Sequence, residues 1–216
     1  MQLMMSGLGA LIMVAICGLS VFFIIAEERR DHGAAAAARQ PIGVPDSPRA
    51  DTRPLSLEEV FPGPEIRVLP GTGPYLVGMT HIDTDCASAT TGLLGGLLDD
   101  IGCTQVVRAY LTAPYGGYQV TAGAFNLADP ADAVLASGEI GRHVEAGDGS
   151  FAAMASVQPL AQVGWRDRGQ FLLYCVITRP DGQLIRDDDP YARRIAGDLV
   201  ETYLGETIID KRGSNP

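Results

Sequence analysis

The chain has 216 residues, 46% of them hydrophobic and 19% charged, which is enough apolar material for a core and excludes a wholly disordered protein. A formal net charge of −10 argues against a nucleic-acid partner, whose phosphates call for basic patches. It argues equally against a protein that lies flat on anionic lipid headgroups.

A short tail, residues 1–6, leads into GLGALIMVAICGLSVFFIIA at 7–26, twenty residues without a charge. At ~1.5 Å per residue a helix of that length spans the ~30 Å hydrocarbon core of a bilayer. A cleaved signal peptide has a shorter apolar region with its cleavage site close behind. Here Glu27, Glu28, Arg29, Arg30 and Asp31 follow directly, so an uncleaved anchor is expected. Cleavage within 34–38, where an A-x-A site exists, is the alternative. The positive-inside rule would keep the C-terminal domain in the cytoplasm, because Arg29 and Arg30 follow the helix and no basic residue precedes it. Against it stand a Pro/Ala-rich spacer and a Lys-poor domain with three cysteines, which suit an oxidising exterior. The expectation is a single-pass protein of the cell membrane with its domain extracytoplasmic.

Residues 27–54, with Pro41, Pro45, Pro48 and Pro54, read as a disordered linker, followed by a domain over 55–210 and a tail over 211–216. The sequence predicts strands at 66–69 and 75–83 around the turn 70–74. Thr84 or Asp85 can cap a helix reaching Ile101, with Leu93, Leu94, Leu97, Leu98 and Ile101 on its buried face and Gly102 at its C-cap. A hairpin is expected over 105–112 and 118–127, then a helix opened by Asp129-Pro130 and running to about Ile140. After a loop at 142–150 come strands at 151–157, 162–166 and 170–179. Asp189-Pro190 starts a last helix striped by Tyr191, Ile195, Leu199 and Tyr203. These elements predict an α+β fold, a largely antiparallel sheet with about three helices on one face.

His81, Asp83 and Asp85 lie at i, i+2 and i+4, where a strand would turn all three to one side, as metal binding requires. The plainer reading is a strand end flowing into a helix cap, so no metal and no cofactor are expected. Asp187-Asp188-Asp189 lacks the spacing of a calcium loop, and Pro190 marks Asp189 as an N-cap. No G-x-S-x-G, S-x-x-K, H-E-x-x-H or Walker-type motif is present, and His81 and His143 are the domain's only neutral-pH acid–base groups. No catalytic residue is therefore assigned. Tyr115, Tyr118 and Trp165, with Tyr174, could line a ligand groove, although strand aromatics commonly serve as core.

Cys17 falls in the apolar span, leaving Cys86, Cys103 and Cys175 as disulfide candidates. A continuous helix would hold Cys86 and Cys103 ~25 Å apart, against the ~6 Å a disulfide needs. A break of that helix at Gly95-Gly96 and three reduced thiols are the alternatives. The helical signals favour a bond from Cys175 to Cys86 or to Cys103.

Thr84-Asp85-Cys86-Ala87, Gly102-Cys103-Thr104-Gln105-Val106-Val107-Arg108-Ala109, residues 172–176 and Arg179-Pro180-Asp181-Gly182-Gln183-Leu184 resemble segments of uncharacterised membrane-anchored or secreted envelope proteins of high-GC Gram-positive bacteria. The resemblance implies an envelope location and no particular substrate. The leading expectation is a non-enzymatic module, bound to the membrane through residues 7–26, that takes an envelope protein or small ligand. The alternative is a hydrolase or metal-dependent enzyme using His81, Asp83 and Asp85.

Overall fold

The run Phe171–Thr178, FLLYCVIT, has no polar alternation, and every one of its residues is buried. Such a strand needs cover on both faces. The computed structural model, which describes residues 53–155 and 161–213, provides it. The expected membrane span and nearly all of the linker lie outside the described residues.

The chain opens with α1 (Leu57–Val60), closed at its start by a reciprocal Ser56–Glu59 capping box. Then come β1 (Glu65–Ile66), β2 (Tyr75–Asp83), a 3₁₀ turn at Cys86–Ala89, β3 (Thr90–Gly92) and α2 (Leu94–Asp100). The hairpin β4 (Gln105–Thr112) and β5 (Gln119–Asn126) leads to α3 (Pro130–Ala146), β6 (Gly149–Phe151), β7 (Gln162–Arg168) and β8 (Phe171–Thr178). The last helix begins as α4 (Pro190–Ala196), widens to π-type winding over Gly197–Ile209 and ends as α5 (Asp210–Gly213). Six strands form one antiparallel sheet in the order β1-β2-β4-β5-β8-β7, and β3 pairs with β6 in a separate ribbon.

Period-2 alternation divides the core. Leu173, Cys175 and Ile177 of β8 point to one side, with Val107, Ala109, Leu111, Ile195, Leu199 and Tyr203. Leu172, Tyr174 and Val176 point to the other, with Leu94, Leu98, Val106, Phe125, Ala136 and Ile140. The C-terminal helix thus covers one face, while α2, α3 and the β3–β6 ribbon cover the other. The α+β antiparallel expectation holds, but helices lie on both faces of the sheet rather than one.

Several boundaries also differ. The first predicted strand is only β1, and α3 continues six residues past Ile140 to Gly147 in the left-handed region, absorbing part of the expected loop. The strand expected from 151 instead ends there, as β6. The largest correction is the helix expected from 84 to 101, which is a 3₁₀ turn, a short strand and a seven-residue helix. Gly92 at φ 61° and Gly102 at φ 83° bend the chain at either side of α2. That folding back brings the Cα atoms of Cys86 and Cys103 to 6.3 Å, and these two cysteines form the disulfide. Cys175, expected as one partner, is free and buried on the opposite face of the sheet, where alternation along β8 has turned it away. Burial pushes its thiol up to about 12, so it stays protonated.

Candidate functional site

His81 and Asp83 share a face of β2, since their cross-strand partners are Arg108 and Val106. His81 Nε2 lies 3.4 Å from Asp83 Oδ2. Asp83 Oδ1 accepts the Asp85 N–H at 2.9 Å, and this bond is the first cause of its lowered pKa. Asp85 in turn accepts the Ala87 N–H at 3.0 Å and caps the 3₁₀ turn. The carboxylates therefore bind backbone rather than converging, and no group of three metal-capable side chains occurs among the described residues.

The aromatic residues of the expected groove part company. Tyr115 and Tyr118, at the β4–β5 turn, meet Tyr191 of α4 with ring centroids 6.3 Å apart in each pair. The Arg194 guanidinium sits 4.4 Å from the Tyr115 centroid. Tyr75 and Tyr115 both donate to Asp198 Oδ2, at 2.9 and 3.0 Å, and Tyr118 donates to Asp189 Oδ2 at 2.7 Å. Burial, aided by these carboxylates, raises the Tyr75, Tyr115 and Tyr118 phenols, which stay neutral donors. Each of these hydroxyls has its acceptor, so the cluster clamps the hairpin turn onto the last helix. Trp165 is on the other face, donating to the Ser137 carbonyl at 3.1 Å. His143, the other acid–base group of the domain, has its Nδ1 2.7 Å from Asp148 Oδ1 at the end of α3.

A site that the sequence did not single out crosses the middle of the sheet. His81, Arg108, Gly123, Tyr174 and Trp165 stand in register, one from each of five adjacent strands. Arg108 is 9% exposed, and its Nε is sealed from solvent without a hydrogen-bond partner. Among the described residues no carboxylate forms an ion pair with it. The Tyr174 hydroxyl is also buried, with no hydrogen-bond partner among the described residues. Burial raises that phenol's pKa, while the neighbouring Arg108 charge opposes the rise without a hydrogen bond of good geometry. The Tyr174 ring packs against both Phe125 and Phe151, at centroid distances of 4.9 and 4.7 Å.

Arg212 provides the internal contrast. It too is 9% exposed, yet it donates to Glu59 Oε2 at 3.1 Å and to the Pro54 carbonyl at 3.2 Å. A buried guanidinium cannot shed its proton, so it needs such partners or pays a desolvation penalty of several kcal/mol. Arg212 is built as a structural arginine. Arg108 is not.

No protein-family model, curated protein or solved structure matches the chain.

Proposed function

We propose that the chain is a single-pass membrane protein whose α+β domain stands outside the cytoplasm and binds a small ligand there without transforming it. The apolar run at 7–26 and the proline-rich spacer after it support the tether. The Cys86–Cys103 bond supports the oxidising side of the membrane.

The observation that carries the binding reading is Arg108. Buried polar groups in folded proteins are overwhelmingly partnered, and each exception calls for an explanation. A ligand that supplies the missing acceptor is one. The enzymatic alternative through His81, Asp83 and Asp85 gains nothing comparable, because both carboxylates are occupied by the turn they cap.

Two measurements test the proposal. Protease added to intact spheroplasts should digest the domain while cytoplasmic markers survive, and full protection would refute the outside placement. The full-length protein in detergent micelles, melted against a broad panel of small metabolites, should gain stability with some of them by linkage. That gain should vanish in Arg108→Met, and a panel without a single Arg108-dependent shift would refute the binding reading.

A further inference from the structure

Resting on that reading, we infer that Arg108 and Tyr174 form a binding site for the carboxylate of a small, singly charged ligand with an apolar body. A guanidinium is a planar fork of donors matched to the two oxygens of a carboxylate or phosphate. Beside it the Tyr174 hydroxyl stays protonated and offers a further donor without an acceptor. Thr121 flanks the row on the same face, and its oxygen already accepts the Met154 N–H at 2.8 Å, which leaves its own proton to donate. Arg108, Tyr174 and Thr121 thus bring donors to one face of the sheet, and among the described residues no carboxylate is paired with Arg108.

Gly123 lets β4 and β5 approach closely at this point. It stands between Arg108 and Tyr174 in the row, and a Cβ there would come within 2.9 Å of the Arg108 Cα and Cβ. The row opens on the β2 side, where Met79 is 49% exposed and the His81 side chain 47%. Met79 shares the face of His81, so the body following the carboxylate meets an apolar thioether at the mouth.

Charge decides between the two anions that fit a guanidinium fork. One buried cation is neutralised by one negative charge, whereas a phosphate dianion would leave an excess charge in a desolvated place. The Asp83 carboxylate, on the same face at the open end, and the chain's net charge of −10 also disfavour a multiply charged visitor.

The test uses the full-length protein in detergent micelles, titrated by calorimetry with acetate, butyrate and benzoate, with their amides, and with inorganic phosphate, at constant ionic strength. The carboxylates should bind, butyrate and benzoate more tightly than acetate, and the amides should be weaker by about a hundredfold, the worth of two charge-assisted hydrogen bonds. Arg108→Met should abolish the carboxylate preference. Tyr174→Phe, which keeps the aromatic packing, should lower affinity about tenfold and covers the case in which the arginine variant does not fold. Amides binding as well as acids, or phosphate binding more tightly than any carboxylate, would overturn the inference while leaving a ligand site at Arg108 intact. Silence from every carboxylate would overturn it too. The broader reading would then fall only if the metabolite panel also gives no Arg108-dependent shift.

Discussion

Gly123 faces Arg108 across the β4–β5 ladder, and a methyl group at that glycine would lie 2.3 Å from the Val107 carbonyl oxygen. The arginine's position thus depends on an absent side chain one strand away. Gly123→Ala must push either the ladder or Arg108 aside, and overpacking of this kind costs about 1–3 kcal/mol. Chemical denaturation should show that loss, and the variant should bind carboxylates more weakly than wild type. An alanine variant as stable as wild type would mean that the ladder relaxes around the methyl group.

The disulfide gives a second prediction. Cys86 and Cys103 are 17 residues apart, and closing a loop of that size stabilises a domain by about 3 kcal/mol. Reduction, or a double Cys→Ala variant, should lower stability by that order. Non-reducing peptide mapping should recover a Cys86–Cys103 peptide, with Cys175 alkylated only after unfolding because its thiol is buried and protonated. Rapid alkylation of Cys175 in the native protein would contradict the placement of β8.

Acid stability should report on Asp189. It caps α4 through the Tyr191 and Ala192 amides, and the Tyr118 hydroxyl bond comes first among the causes that hold its carboxyl below 3.8. A carboxyl depressed in the folded state adds stability that is present above its unfolded pKa and lost as pH falls through the folded value. Wild type should therefore lose this contribution below about pH 4. Asn still caps a helix but does not titrate, so the stability gap between wild type and Asp189→Asn should narrow as pH falls from about 5 to 2. A gap constant across that range would show that the cap bonds do not depend on the carboxylate's charge.

Most of the sheet was legible. The bounds of β2 and β4 follow from turn residues flanking apolar runs, and both Asp-Pro pairs open helices as caps should. Residues 84–101 misled because Leu93, Leu94, Leu97 and Leu98 repeat at helical spacing through only two turns. The disulfide and the pairing of Thr90–Gly92 with β6 outweigh that local signal, and both are long-range contacts. Tyr115 and Tyr118 lie together at the β4–β5 turn, whereas Trp165 stands on the other face, because a strand aromatic does not declare its face until the register is fixed. Arg108 carries no motif at all. A lone arginine in VVRAYLT looks like a solvated strand residue, and only the two layers stacked on the sheet reveal that it is buried.

Whether Arg108 contributes to the fold or only to the ligand is decided by the ligand-free stability of Arg108→Met. A structural arginine whose partners are left behind typically costs 3–5 kcal/mol when removed. A buried cation that lacks an anionic partner should instead be replaced by an apolar chain of similar length at no loss, or with a gain. Denaturant unfolding of the full-length protein without added carboxylate is predicted to give an Arg108→Met variant at least as stable as wild type. A variant several kcal/mol less stable would contradict a ligand-binding role and make Arg108 part of the scaffold.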